Sequence, residues 1–314
     1  MINTSSSYAS RVVAPAAALA YPALVWSGVR VSAVVLATTL IVPSLALAAA
    51  YQLGRDHGFP VARRIAHLAI AAPPLFTLLG GWLDFQHVIP IGSLGVWIPL
   101  WTLLIIAALA ERPRGEPGPL PRGRRLAMAH GASAAVIAVF ALAHLVNHLG
   151  GLFGGDAHMA IMRALRTIYR NRIVEPILLV AVVFQVATGC WLLLRKLRRP
   201  GGGSDTLQTA TGAYLMIFLL SHISAVARAR MLHNVDTNWA WLSGGELLTD
   251  PWSARLVPYY FVAVIAFGVH AGCGLRTALL GHGVAAARGS AIVAVLAGLA
   301  TLVSTLILIG LLRA

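Results

Sequence analysis

Four histidines of this 314-residue chain lie inside long apolar stretches, where ionisable side chains are rare. They are His144, His148, His222 and His270. An imidazole held in the hydrocarbon region of a membrane is costly, so such a residue usually serves a site and has a partner. Imidazole nitrogens bind metals, including haem iron, and they also carry protons. The sequence therefore predicts ligand or proton chemistry within the apolar part of the chain.

Residue counts place these side chains at two depths. At about 1.5 Å per helical residue, His144 lies roughly 27 Å and His222 roughly 22 Å from the same end of their predicted helices, while His270 and Gln185 lie roughly 15 Å from it. Haem ligation by two imidazoles needs one nitrogen on each side of the macrocycle, from facing helices at matched depth. His144 with His222 satisfies this pattern and predicts a haem iron site.

Two other interpretations of these histidines stay open. Buried imidazoles can hydrogen-bond to neighbouring helices without binding any ligand. His144 and His148 also form an i, i+4 pair on one helix face, a spacing that suits zinc, but no Cys, Asp or Glu accompanies them within the helix. The other histidines are expected in loops, at span ends or in structural roles near helix starts: His57, His67, His87, His130, His158, His233 and His282.

The composition requires a membrane around these residues. Of all residues 58% are hydrophobic and 11% are charged, whereas soluble domains carry about 25% charged residues. Apolar runs of roughly 20 residues recur along the chain and match a helical crossing of the ~30 Å hydrocarbon core. Runs such as 291–312 are apolar on every face, which favours helices over barrel strands. The expected fold is an all-α, polytopic bundle of about eight transmembrane helices.

The spans are predicted at residues 31–51, 65–83, 93–110, 126–149, 173–194, 207–227, 258–280 and 291–312. The stretch 12–26 contains Pro15 and Pro22 and is expected to be an interfacial or re-entrant start, with a ninth span as the alternative. The Pro-, Gly- and Arg-rich segment 111–125 is expected to divide an N-terminal three-span block, residues 1–110, from a five-span haem-binding-like domain, residues 126–314.

The net charge of +14 comes from Arg residues that lie almost entirely between the spans. With eight spans the positive-inside rule puts both termini outside a bacterial cytoplasmic (inner) membrane. The basic residues then contact anionic lipid, and no pattern typical of nucleic-acid binding appears. The amphipathic stretch 157–172 is expected to lie flat on the outer surface. The Trp-containing loop 228–257 is expected to be a Trp-anchored loop or an outer cap.

The five-span domain resembles the transmembrane cytochrome b subunits of succinate dehydrogenase and fumarate reductase. Residues 140–147, Phe-Ala-Leu-Ala-His-Leu-Val-Asn, look like the first ligand helix of that family. Thr-Gly at 211–212, followed by Phe-Leu-Leu-Ser-His at 218–222, is similar to its helices that begin with Thr-Gly and reach a ligand His. His-Ala-Gly-Cys-Gly-Leu-Arg at 270–276 matches its recurrent pattern of His, three residues, Gly, Leu or Ile, and Arg.

The resemblance covers about residues 125–276 and implies a set of site residues. His144 and His222 would hold haem b on the side farther from a cytoplasmic dehydrogenase. His270 would belong to an inner site, but Gln185 stands where two-haem members carry the second histidine. One haem is therefore expected, and the second site lacks an imidazole. Arginines near the ends of these helices are expected to pair with haem propionates, since Arg suits carboxylates: Arg228, Arg230 and Arg276.

The implied function is electron transfer between quinone and flavoprotein or iron–sulfur partner subunits. The chain is expected to be a subunit and not a complete enzyme, because it has no glycine-rich nucleotide fingerprint and no Cys cluster. One alternative is a transporter or channel whose Asn147, His148, Gln185 and His270 line a path. Another is a sensory or scaffolding membrane domain without haem. The three N-terminal spans have no counterpart in the resembled family.

Overall fold

The computed structural model describes residues 4–27, 32–55, 58–84, 92–114, 123–243, 253 and 255–313. Regular structure in these ranges is entirely helical, which confirms the all-α prediction. Its helices are α1 Thr4–Ser27, α2 Ser32–Arg55, α3 Pro60–Ile70, α4 Ala72–Leu83, α5 Gly92–Ala110, α6 Arg124–Leu149, α7 Gly155–Tyr169, α8 Val174–Lys196, α9 Gly203–Met231, α10 Trp239–Ser243, α11 Leu256–Gly281 and α12 Ala286–Leu312. Within the described ranges, eight helices are long and apolar enough to cross a membrane.

The N-terminal stretch is one unbroken helix, so the predicted interruption at its prolines is wrong. α1 contains both Pro15 and Pro22 and qualifies as a span over Tyr8–Ser27. Pro22 has no N–H to give to the carbonyl of Ala18, four residues earlier. Trp97 of α5 donates its Nε1–H to that carbonyl instead, at 3.0 Å. A neighbouring helix thus supplies the hydrogen bond that the proline removes.

The predicted span 65–83 is divided into two helices. α3 and α4 meet at Ala71 with a bend of 69°. Pro73 and Pro74 follow the bend, and neither can donate a backbone hydrogen bond to the last turn of α3. The bend therefore has a local cause in the sequence.

One end of the bundle, here called the basic end, gathers Arg-rich helix termini. Arg11 of α1 donates through Nε to the carbonyl of Ala108, at 2.8 Å, near the end of α5. Glu111 accepts the backbone N–H groups of Val61 and Ala62 at 2.8 Å each, at the start of α3. At the same end, the Arg63 guanidinium bonds the Arg199 carbonyl after α8. Guanidinium at a helix C-terminus and carboxylate at an N-terminus both oppose the helix dipole, which stabilises these junctions.

The other helix termini lie at the far side of the bundle, here called the opposite end. The Arg228 guanidinium, late in α9, lies 4.7 Å from the ring centroid of Trp82, late in α4. The bent pair α3–α4 therefore runs from the basic end toward the opposite end, and counting it as one span gives up to nine spans among the described helices. α1 starts at the basic end, whereas α12 finishes at the opposite end, where Gly310 packs on Gly151. The expectation that both ends of the chain lie on one side assumed eight spans, whereas α1 and the bent pair together bring the count to as many as nine.

The two predicted blocks share one hydrophobic core. Trp97 and Trp101 of α5 pack in the same cluster as Tyr214 of α9 and Ala263 of α11. His67 of α3 joins the blocks by a hydrogen bond to Thr209, and is considered further below. α9 and α11 also belong to a ring of five helices in which α6 packs on α8, α8 on α9, α9 on α11, α11 on α12, and α12 on α6. The ring brings the histidines of the C-terminal domain together.

Candidate functional site

Histidines from three helices meet in the half of the ring near the opposite end; this group is here called the outer cluster. The ring centroids of His144 and His222 are 6.1 Å apart, with 61° between the ring planes. His148 lies one turn beyond His144, and their Nε2 atoms are 3.2 Å apart. All three side chains are half-buried. The depth estimate that paired His144 with His222 therefore matches their proximity.

Two phenylalanines hold the facing imidazoles by stacking. Phe140 lies one turn before His144, with centroids 5.7 Å apart and planes 16° apart. Phe218 lies one turn before His222, at 5.3 Å and 7°. Tyr260 of α11 approaches His222 edge-on at 6.1 Å. Aromatic neighbours at these distances restrict ring rotation and exclude water, so both imidazoles have a fixed orientation.

His158 belongs to the outer cluster, which corrects its prediction as a surface residue. Its side chain is only 2% exposed. Its Nε2 lies 3.1 Å from Nδ2 of Asn147, and its ring centroid is 5.4 Å from that of His148. Trp239 of α10 covers it, with ring centroids 4.7 Å apart. Burial, with a smaller contribution from Arg166, lowers the pKa of His158 below its usual 6.5.

Glycines explain how α7 folds back over the cluster. Gly154 has a φ of 99°, which suits glycine, between the 3-10 turn Gly150–Phe153 and α7. A Cβ on Gly151 or on Gly155 would lie within 2.7 Å of the Trp239 ring, so only glycine fits at either position. Asp236 then bonds Arg166 at 2.9 Å, which anchors this part of the loop on α7. The Trp-containing loop 228–257 was expected to be a Trp-anchored loop or an outer cap. Its described part covers the outer cluster and is therefore a cap.

The Asn147 and His158 pair also carries unused hydrogen-bonding capacity. Asn147 is 5% exposed, and its Oδ1 has no hydrogen-bond partner. The same holds for Nδ1 of His158. Buried polar atoms without partners are uncommon in folded proteins and mark places where a further polar group binds.

The basic half of the ring contains a second polar group, here called the inner cluster. His270 of α11 bonds the backbone carbonyl of Gln208 through Nδ1 at 3.0 Å. Gln185 of α8 takes no part in that bond. Its side-chain amide nitrogen bonds Nε2 of His130 instead, at 3.0 Å. His130 also bonds Thr188 Oγ1 through Nδ1 at 2.8 Å. These bonds give His130 a structural role between α6 and α8, as expected for a histidine near its helix start.

Each of the three arginines that were expected to pair with haem propionates contacts another residue of the chain. Arg276 extends toward α12, with Nε 3.3 Å from Ser290 Oγ. Arg230 forms an ion pair with Glu175 at 2.7 Å, and Arg228 lies over Trp82. Each would have to change partner to bind a propionate.

The spacing of His144 and His222 can be compared with that of two imidazoles bound to one metal ion. Metal–imidazole bonds are about 2 Å long, so two imidazoles on opposite sides of one ion have ring centroids roughly 6 Å apart. The 6.1 Å between His144 and His222 meets this condition. Among the described residues, no group of three or more His, Cys, Asp or Glu is arranged to hold a metal ion. A pair of imidazoles is sufficient for haem, whose macrocycle supplies the other four ligands.

Sequence reasoning missed two members of these clusters for different reasons. His130 precedes His144 by 14 residues, about 3.9 helical turns, so the spacing alone places both on one helix face. His158 carries no such signal, because it follows a break in the helix and its burial depends on Trp239.

Comparisons with protein-family models, curated proteins and solved structures find no match for this chain.

Proposed function

We propose that this chain is a haem b-containing membrane subunit that transfers electrons between quinone and a partner dehydrogenase or redox protein. The observation that carries the proposal is the His144–His222 pair, whose ring centroids are 6.1 Å apart between two membrane helices. A quinone and a flavoprotein or iron–sulfur subunit belong to the proposal as the electron donor and acceptor. Bound haem b supplies a one-electron centre.

The chain's own residues bind and orient the group. His144 and His222 each offer an imidazole nitrogen from opposite walls of the ring. Phe140 and Phe218, stacked on these rings, fix their orientation and keep water away. A low-dielectric, water-poor surround tunes the potential of such a centre. His148 touches His144 and so acts from outside the ligand pair.

The outer cluster also offers a place for the quinone. Asn147 and His158 lie beside His148 and carry the two unpartnered atoms described above. Quinone oxygens accept hydrogen bonds, and quinol hydroxyls donate them. Nε2 of His158 accepts from the Asn147 amide, so the Nδ1–H of a neutral His158 can donate to a quinone oxygen, and Oδ1 of Asn147 can accept from a quinol hydroxyl.

The proposal is tested by absorption spectroscopy of the detergent-purified protein expressed with ample haem supply. We expect a b-type signal in the dithionite-reduced minus oxidised spectrum, quantified by pyridine haemochrome. His222→Ala and His144→Ala should each remove the outer-site signal, while His282→Ala, at an exposed position after α11, should retain it. Size-exclusion profiles of all four proteins check folding. Wild-type protein without haem would refute the proposal.

The broken helix α3–α4 favours a second candidate, a transporter or channel. Broken spans place helix ends and free backbone groups inside the membrane, where transporters bind solutes or ions. The 69° bend at Ala71 is of this kind, although it is the one bent pair among the described helices. Proton or solute flux into liposomes that contain haem-free protein would support this candidate. Flux that depends on bound haem, or no flux, would count against it.

A further inference from the structure

One arginine at the basic end is buried with two of its three guanidinium nitrogens unpartnered. Arg63 lies in the first turn of α3 and is 3% exposed. Its Nη1 bonds the Arg199 carbonyl after α8, whereas its Nε and Nη2 have no hydrogen-bond partner. These two nitrogens share one edge of the guanidinium, and that edge can donate two parallel hydrogen bonds to a carboxylate or a phosphate.

A second buried donor without a partner lies beside this edge. Thr206 of α9 is 1% exposed, and its hydroxyl oxygen has no hydrogen-bond partner. A Cβ on Gly54, near the end of α2, would lie 3.2 Å from Oγ1 of Thr206 and 3.4 Å from Nη2 of Arg63. Both donors therefore meet at the place where Gly54 lacks a side chain. Neighbouring buried donors without partners indicate that an acceptor binds there.

The N-terminus of α9 lies at the same place. A Cβ on Gly201, two residues before α9 begins, would lie 2.7 Å from Nη2 of Arg63. The N-cap residue of this 29-residue helix is Gly202, which makes no side-chain capping bond. Free N–H groups and the positive end of the helix dipole favour anions at such a terminus. Arg63 and the start of α9 thus present positive charge together.

The charge of Arg63 has no counter-charge in direct contact. Asp205, in the first turn of α9, forms an ion pair with Lys196 at 2.7 Å. None of the ion pairs between described residues includes Arg63. A buried charge without a counter-ion is unfavourable, because burial removes its hydration. An anion beside Arg63 would supply the counter-charge.

We propose that Arg63, Thr206 and the N-terminus of α9 form a phosphate-binding site at the basic end, where the ends of α2, α3 and α9 meet. Nε and Nη2 of Arg63 bind two phosphate oxygens, and the Thr206 hydroxyl donates to a third. A tetrahedral phosphate offers oxygens in the several directions that these donors require, whereas a carboxylate offers two oxygens in one plane. The site uses no residue of the histidine clusters, so it does not depend on bound haem.

A free phosphate ion and the headgroup of an anionic phospholipid both carry this group, and two experiments on the purified full-length protein separate them. The first is equilibrium dialysis against radiolabelled inorganic phosphate. The second uses mixed micelles that contain phosphatidylglycerol or phosphatidylcholine, with native mass spectrometry to count the retained lipid. Saturable binding of one phosphate ion per chain would identify the free ion. Retention of phosphatidylglycerol, but not of phosphatidylcholine, would identify the lipid.

Three variants connect this binding to the site. Arg63→Gln should weaken it about tenfold or more, because it removes two charge-assisted hydrogen bonds, and Thr206→Val should weaken it less. Gly54→Ala keeps every donor but places a methyl group between Thr206 and Arg63, so it should also weaken binding. Arg198→Gln is the matched control, since it removes the same charge from an exposed residue at the same end, and it should bind as the wild type does.

Size-exclusion profiles check the folding of each variant, and Gly54→Ala tests the site even where Arg63→Gln does not fold. Binding from neither source would overturn the inference. Equal weakening by Arg63→Gln and Arg198→Gln would also overturn it, because it would show only general attraction to a basic surface. So would unchanged binding in Gly54→Ala.

Discussion

His144 and His148 share a hydrogen bond between their Nε2 atoms, at 3.2 Å, yet the two rings contact different helices. His144 is the ring that approaches His222 of α9. His148 approaches His158 of α7, with centroids 5.4 Å apart. The i, i+4 pair is therefore divided between two neighbours, which gives its two members different expected roles.

We expect His148→Leu to keep the outer haem and His144→Leu to lose it. The reason is that only His144 faces the second imidazole, whereas His148 lies one turn away and contacts His158. Pyridine haemochrome counts and redox titration of the two variants make the comparison, and His148→Leu should change the potential without changing the count. Stoichiometric zinc bound by the wild type and lost equally in both variants would favour the zinc interpretation.

The Trp97–Ala18 hydrogen bond predicts a specific rescue. Trp97→Phe should lower the free energy of unfolding by about 1–3 kcal/mol, because the Ala18 carbonyl freed by Pro22 is left unpaired in a buried place. In a Pro22→Ala background the restored backbone N–H can bond that carbonyl, so the same substitution should cost less. Denaturant titrations of the four proteins in a double-mutant cycle measure the difference. Equal costs in both backgrounds would contradict this account of the intact helix.

The hydrogen bond between His67 of α3 and Thr209 of α9 can be used to measure how much contact with the ring stabilises the N-terminal helices. His67 is 1% exposed and bonds the Arg63 carbonyl through Nδ1 at 2.7 Å and Thr209 through Nε2 at 2.9 Å. Thr209→Val leaves Nε2 unpaired, and we expect a loss of about 1–3 kcal/mol in the free energy of unfolding. Thr301→Val is the matched control, since that exposed hydroxyl bonds only its own helix. Similar losses in both variants would show that the interhelical bond contributes little.

His158 predicts a pH dependence of the cap. Its pKa in the folded protein is lowered, mainly by burial and further by Arg166, so folding favours the neutral ring. The cap is then most stable above the ordinary pKa of about 6.5, and this stability is lost as pH falls through the lowered folded-state value. Hydrogen exchange of α7 between pH 8 and pH 5 should quicken toward the acid side relative to the rest of the bundle, and His158→Gln should flatten that trend. An unchanged trend in this variant would assign the effect to another group.

Periodicity and hydropathy were enough to predict the fold class and the spans from α5 onward. They failed at α1 and at α3–α4, because the effect of a proline depends on its neighbours. Trp97 compensates for Pro22 from another helix, whereas the adjacent Pro73 and Pro74 lack the N–H groups that would continue the helical hydrogen bonds of α3. The adjacent prolines of α4 are visible in the sequence, whereas the hydrogen bond that Trp97 gives from another helix is not.

The site was predictable where helix geometry alone decided the contacts. His144 and His222 could be paired because each lies in a straight helix whose depth follows from residue counts. His158 could not be assigned, since the glycine turn after α6 and the covering Trp239 lie outside any regular spacing. Gln185 was correctly placed in the inner half, but its bond to His130 depends on side-chain directions that residue counts do not give.

The closed ring of five helices has a consequence for biosynthesis. α6 is made first of the five, and α12, which packs against both α6 and α11, is made last. Until the ribosome has released α12, the seam between α6 and α11 faces lipid, and a large planar molecule can enter sideways through it. Loading of the proposed haem into the outer cluster is therefore easiest before α12 packs between α6 and α11 and closes this lateral opening.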